Sequence, residues 1–166
     1  MNIKNIIGFY KTKDNYGYMS NWYPSTFVIN GITFSSSEQY MMYMKAITFN
    51  DYDTANKIMS TNDVSRIKNL GRQVSNYNEV VWNGIRATVV YEGLLEKFSQ
   101  NKELMDKLLS TGDSILCECS PTDCVWGIGL SVDNPDVHDI SKWRGQNLLG
   151  FTLCLVRDKL RETFYY

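Results

Sequence analysis

Phe27-Val28-Ile29-Asn30-Gly31-Ile32-Thr33-Phe34-Ser35-Ser36-Ser37-Glu38-Gln39-Tyr40-Met41-Met42-Tyr43-Met44-Lys45 decides the class of fold. Asn30-Gly31 between two short runs of β-branched and aromatic residues is the strongest short-range hairpin signal, so Phe27 to Ile29 and Ile32 to Phe34 are expected to pair. Immediately afterwards the apolar period changes. Ser35-x-x-Glu38 has the form of a capping box, and Tyr40, Met41, Met44 and Ile47 follow at helical spacing, which predicts a helix from Ser35 to about Phe49. A hairpin that runs straight into a helix calls for a fold that mixes the two.

Outward from this stretch, Ile6 to Tyr10 has the pattern of a short strand, and Asp51 to about Met59 that of a second helix. Asn78 is placed to cap a longer helix to about Ser99, with Val81, Ile85, Thr88/Val89, Glu92 and Leu95 along one face and Glu92 as its single polar interruption. Asn101 to Ser110 predicts a short helix, with Gly112 where a left-handed residue usually ends one. Ser114 to Glu118 predicts another strand. Asn147 to about Arg161 predicts a closing helix that is apolar on most faces and therefore belongs to the core. Helices outweigh strands without regular alternation, so the expected class is α+β, mainly helical with a small antiparallel sheet. No repeat or linker-like tract interrupts the chain, and residues 1–166 are expected to form one compact domain.

The chain has 43% hydrophobic and 21% charged residues and only three prolines, enough apolar surface to exclude intrinsic disorder. Its net charge of -1 supplies no global positive field for nucleic acid or an anionic membrane, although a local basic pocket stays open. No run is long enough to span a bilayer, and Met1-Asn2-Ile3-Lys4-Asn5 lacks the features of a secretion signal, so a cytosolic location with reduced cysteines is expected. Cys117, Cys119 and Cys124 could be taken as zinc thiolates, but Cys154 lies in an apolar helical stretch and offers no obvious fourth ligand; small buried residues are the plainer reading. His138, the single histidine, sits in a polar stretch without a nucleophile elbow, which argues against a Ser-His-Asp or Cys-His hydrolase. Neither a dinucleotide fingerprint nor a P-loop is present.

Three constellations remain. Glu38 and Lys45 stand seven residues apart, on one helix face and about 10 Å from each other, so both can border one pocket; alternatively Glu38 only caps and Lys45 is solvated. Trp82 and Arg86, one turn apart, can stack a base and hold a phosphate, or can be core and a snorkelling cation. Gly71-Arg72, read as a turn, adds a phosphate ligand. Trp126 to Gly150 keeps two tryptophans, closely spaced glycines and the acids Asp133, Asp136 and Asp139 within a long polar segment. Such a segment is either a binding loop or a surface loop pinned by Trp126 and Trp143.

Taken together, Phe9-Tyr10, Ser20-Asn21-Trp22-Tyr23, Ser37-Glu38-Gln39-Tyr40, Lys45, Gly71-Arg72, Trp82, Arg86, Lys97-Phe98-Ser99-Gln100-Asn101, Trp126-Gly127-Ile128-Gly129-Leu130 and Trp143-Arg144-Gly145-Gln146-Asn147 resemble the YbiA-like, or NADAR, family from Phe9 to Arg161. The resemblance implies N-glycosidase activity on a ribosyl compound. The substrate would be a phosphoribosylamino-pyrimidine intermediate of riboflavin synthesis or, alternatively, ADP-ribose attached to a nucleobase such as guanine in DNA. A non-catalytic module that binds ADP-ribose or a nucleotide is the competing class. The resemblance places Glu38, Lys45, Trp82 and Trp126 at the site, with Asn21, Arg72 and Asn147 as further pocket residues. Asp133 could supply a second carboxylate. Gln39, Met42 and Ile128 depart from the usual family pattern, which has His, Gln and in some members Asp at those places.

In chemical terms, hydrolysis of a ribosyl C1'–N bond builds positive charge on the sugar, and a carboxylate beside C1' stabilises that charge or activates water. Glu38 is the candidate. Lys45 would bind phosphate or protonate the leaving nitrogen. No metal or other cofactor is called for, the expected partner is a small phosphorylated ribosyl substrate with ADP-ribosylated nucleic acid as the alternative, and no membrane partner or oligomeric state is assigned.

Overall fold

A computed structural model describes residues 5–164. In chain order it contains β1 (Ile6–Phe9), β2 (Phe27–Ile29), β3 (Ile32–Phe34), α1 (Ser37–Thr48), α2 (Tyr52–Met59), α3 (Val64–Arg72), α4 (Glu79–Gln100), α5 (Lys102–Leu109), β4 (Ile115–Glu118) and α6 (Leu148–Phe164), with short 3-10 turns between. The class is α+β and mainly helical, as the residue pattern predicts. The chain divides into two compact units, one comprising Asn21–Asn101 and the other residues 5–20 and 102–164.

The unit Asn21–Asn101 holds the hairpin and the first four helices. β2 and β3 pair antiparallel with Phe27 opposite Phe34 and Ile29 opposite Ile32. Asn30 and Gly31 have φ of 51° and 78°, the left-handed pair that a two-residue hairpin turn requires. Alternation puts Phe27 and Phe34 inside at 1% exposure each and leaves Val28 outside. Tyr40 of α1 meets both phenyl rings edge-on, at 6.3 and 5.1 Å between centroids. Gly93 lets α4 approach that tyrosine, since a Cβ there would lie 2.5 Å from Tyr40 Cδ1. At the end of α4, Gln100 accepts from the Val28 N–H and donates to the Val28 carbonyl, both at 2.8 Å, which ties the helix to β2.

Two expectations are corrected in this unit. Residues 64–72 form α3, although Gly71-Arg72 suggested a turn. Asp63 caps this helix through the Ser65 and Arg66 amides. The buried face of α4 is also not the expected stripe. Trp82, Val89, Val90, Gly93, Leu94, Lys97 and Phe98 face inward, whereas Val81 is 45% exposed and Glu92 lies outside. The helix carries apolar residues on more than one side, so its own periodicity leaves the choice of face to its neighbours, and a lysine aliphatic stem serves as core here.

In the other unit β1 and β4 form a parallel pair with Ile6 opposite Ile115 and Phe9 opposite Glu118, a ladder in addition to the expected antiparallel one. α6 lies on β4 where Gly150 meets the Leu116 carbonyl so closely that any side chain would collide with it. The helix is one-sided rather than core on most faces: Leu153, Val156 and Leu160 are buried, while Phe151 and Leu155 are 42% and 62% exposed. Arg157, 4% exposed, donates to Thr111 Oγ1 at 2.8 Å and to the Ser114 carbonyl at 2.9 Å, which secures the turn between α5 and β4. Gly112 has the expected positive φ, 60°. Cys117 and Cys119, with sulfurs 3.8 Å apart, pack with Ile128, Leu130 and Val137, and Cys124 is exposed. Among the described residues no helix is long and apolar enough to cross a membrane.

Candidate active site

Ser36, rather than Ser35, caps α1. Its backbone is extended, with φ -163° and ψ 160°, and its hydroxyl accepts from the Gln39 N–H at 3.1 Å. The Gln39 side chain reaches back past the cap to Ser35. Its oxygen accepts from the Ser35 N–H at 2.8 Å and the Ser35 hydroxyl at 3.0 Å, while its amide nitrogen donates to the carbonyls of Ile58 at 3.2 Å and Thr61 at 2.9 Å. Three successive serines followed by Glu38-Gln39 permit two registers of the same motif. The reach of Gln39 to the end of α2 selects the second. The cap therefore belongs to Ser36 and Gln39.

Glu38 consequently lies at the second position of α1, where it is 4% exposed and faces the positive end of the helix dipole. Its N–H donates to the Asn21 carbonyl at 2.9 Å, and the Ser37 hydroxyl donates to that same carbonyl at 3.4 Å. Asn21 is thereby held against the start of α1. Its side chain is 5% exposed, and its Oδ1 is buried with no hydrogen-bond donor among the described residues. The neighbouring Trp22 lies under the Lys68 ammonium and lines a cavity of about 520 Å³ with Ser25, Thr26 and Asn62.

Lys45, two turns along α1 from Glu38, is half-buried, and its ammonium stands 4.6 Å from the centre of the Tyr77 ring. Tyr77 in turn meets Phe49 edge-on at 5.4 Å. Burial pulls the Lys45 ammonium below the ordinary lysine value, the Arg72 guanidinium pushes it the same way, and the Glu38 carboxylate opposes both. Glu38, Lys45 and Arg72 thus share one electrostatic neighbourhood. Gly71 explains how Arg72 arrives there. A Cβ at Gly71 would collide with Met42 Sδ, so α3 and α1 touch at this point and the next residue is delivered beside Lys45. Met42 fills this contact, and Gln39 is used as the cap; both departures from the family pattern have structural employment here.

On α4, Trp82 is 6% exposed and Arg86 is half-buried. Arg86 donates to Asn83 Oδ1 at 2.8 Å, while its buried Nε has no acceptor among the described residues. Trp126, Asp133 and Asn147 belong to the other unit. Trp126 is half-buried, and its backbone is fixed by Asp123 Oδ1 at 2.9 Å and by the Leu149 N–H at 3.1 Å. Asp133 is exposed. Asn147, with φ 52°, accepts from the Glu118 N–H at 3.1 Å and donates to the Leu116 carbonyl at 2.9 Å, so its side chain works as a strut under β4.

The sequence assigns no individual role to Tyr77 or Lys97. Tyr77 precedes the Asn78 cap and shows no motif of its own, so only folding reveals it beside Lys45. Lys97 is fully buried, with its ammonium 5.1 Å from the Phe98 ring and 5.6 Å from that of Tyr23, and burial pulls it down to about 7. A charge-bearing residue inside a helix ordinarily signals solvent, so the sequence does not show that Lys97 is buried.

Comparison with known proteins places this chain among N-glycosidases. The chain is 41% identical over 148 residues to an N-glycosidase of Acanthamoeba polyphaga mimivirus, covering 86% of this chain and 87% of that one. It is 34% identical over 156 residues to a riboflavin biosynthesis protein of Vibrio vulnificus, covering 94% of this chain and 39% of that protein. The NMR structure of the Escherichia coli protein YbiA superposes with a TM-score of 0.80 at 29% identity, covering 96% of this chain and 86% of that one. The chain is an enzyme of the N-glycosidase class. Residues 8–161 match the NADAR domain family, and the chain belongs to it.

Proposed function

We propose that this N-glycosidase hydrolyses the C1'–N bond of a small phosphorylated ribosyl-amine of the phosphoribosylamino-pyrimidine type. The observation that carries the assignment of roles is a carboxylate, Glu38, at 4% exposure at the start of α1, whose charge acts on the Lys45 ammonium that Arg72 also faces. Glu38 stabilises the positive charge that develops at C1', or directs water to it. Water supplies hydroxide to C1' as the C1'–N bond breaks, and the departing nitrogen takes up a proton. Lys45 suits that donation, because burial and Arg72 both weaken its hold on the proton.

Arg72 and Arg86 are assigned to phosphate, which a planar guanidinium binds through paired donors. Asn21 Oδ1 is an acceptor for a ribose hydroxyl. Trp82 is assigned to the base. A small substrate is preferred to ADP-ribosylated DNA because the net charge of -1 supplies no electrostatic footprint for a duplex. The name of the Vibrio vulnificus relative supports the same preference. Parallel turnover assays on a phosphoribosylamino-pyrimidine and on ADP-ribosylated DNA test the reading. Release of base and ribose phosphate from the first, faster than any release from the second, is expected; the reverse order overturns the substrate assignment, and saturable binding without release from either overturns catalysis.

A further inference from the structure

On α1, Tyr43, Met44 and Ile47 lie on the side opposite to Glu38 and Lys45, since successive residues advance by about 100° around a helix. They form the floor of a groove of about 530 Å³, with Ile29 and Ile32 of the hairpin on one side and Leu95 of α4 on the other. All of these side chains belong to the unit Asn21–Asn101. All six are only half-buried where they meet the groove, as is Glu96, while Glu92 stands exposed beside them.

The two carboxylates give the groove its sign. Glu92 and Glu96 are one turn apart on α4, hence on one side of it. Glu92 accepts from the Tyr40 hydroxyl at 3.1 Å and Glu96 from the Gln100 amide at 2.8 Å, and Gln100 is itself fastened to β2. Both donors are neutral. The carboxylates are therefore held in place with their charge uncompensated, and among the described residues no ion pair includes either. An anionic substrate is repelled from such a wall, so the groove is unsuited to the phosphorylated compound proposed above.

We propose that this groove docks a basic amphipathic protein segment, with two or three apolar side chains between the hairpin and α4 and Lys or Arg against Glu92 and Glu96. Apolar contact supplies the affinity, and the charges select orientation and partner. Negative charge on an apolar groove is complementary to a cationic helix face and disfavours both acidic segments and self-association through like surfaces.

The test uses the whole chain, isotopically labelled, and two synthetic helical peptides with leucines at i, i+3, i+4 and i+7, one completed with lysines and its twin with glutamates. The lysine peptide is expected to saturate, with amide shifts confined to the residues around Ile29, Ile32, Met44, Ile47 and Leu95. Its affinity is expected to fall at least tenfold in the Glu92→Gln/Glu96→Gln double variant, which keeps the Tyr40 and Gln100 acceptors, and in Met44→Lys. Unchanged Tm of the double variant certifies its fold. Equal affinity for the two peptides, undiminished affinity in the folded double variant, or shifts centred elsewhere overturns the proposal. A concentration-dependent dimer abolished by Met44→Lys also overturns it, because the occupant is then a second copy.

Discussion

Replacing Glu38 by Gln separates a charge from a cap. The cap of α1 is the Ser36 hydroxyl with the Gln39 side chain, and neither is touched by the change. What is lost is a negative charge at the second position of the helix, worth about 0.3–1 kcal/mol against the helix dipole and up to about 2 where partly buried. What is relieved is the cost of holding a carboxylate at 4% exposure. The two terms oppose each other, so the net change in stability is expected within about 1 kcal/mol, a Tm shift of about 2–4 °C for a chain of this size. The chemical step is different. An amide cannot stabilise positive charge at C1' or accept a proton from water, and kcat is expected to fall by about 10² or more, at least about 2.7 kcal/mol of barrier.

Gln39→Ala supplies the contrast. Four side-chain hydrogen bonds disappear with it, to Ser35 twice and to the carbonyls of Ile58 and Thr61. At about 0.5–1.5 kcal/mol each, Tm is expected to fall by about 4–24 °C while kcat per folded molecule falls less than about tenfold. Thermal melting by circular dichroism and release of the free base are measured on both variants. The reasoning is refuted if Glu38→Gln turns over at near-normal kcat, or if it unfolds while Gln39→Ala stays stable.

Three further outcomes are expected. With Lys45 as proton donor, kcat falls as pH rises through its lowered pKa, and Lys45→Met removes that alkaline limb; a limb that survives in Lys45→Met assigns it to another group. Arg72→Gln raises KM for the 5'-phosphorylated substrate more than for its dephosphorylated nucleoside, and an equal rise in both removes Arg72 from phosphate binding. Asp51 caps α2 and also accepts from the Ser75 N–H at 2.8 Å, contacts that hold its carboxyl down to about 2. Because the folded pKa is depressed, this stability is present above the ordinary carboxylate range and is lost as pH falls toward about 2. Urea midpoints measured from pH 5 to pH 2 should therefore decline less steeply in Asp51→Asn than in the parent, and parallel slopes refute the linkage.

Features that depend on neighbours a few residues apart are legible in the order of the amino acids. Asn30-Gly31 makes the hairpin because the turn needs two positive φ values; Asp51 and Asn78 begin helices because their short side chains reach amides two or three residues on; Gly112 ends α5 without a Cβ penalty. Glu38 and Lys45 were legible as one face for the same reason. The cap register of α1 was not, because Ser35 and Ser36 are equivalent until Gln39 meets Ile58 of α2 and Thr61 just beyond its end. The inward face of α4 was decided by Tyr40 against Gly93 and by the burial of Lys97, contacts that helical period cannot express. The parallel pairing of β1 with β4, the seat of Gly71 on Met42 that brings Arg72 to Lys45, and the Tyr77 ring under the Lys45 ammonium are likewise tertiary. Local chemistry sets where elements begin and end, whereas the choice among apolar faces and the meeting of charges is made by packing between segments distant in the chain, where burial energy outweighs the small differences a single segment carries.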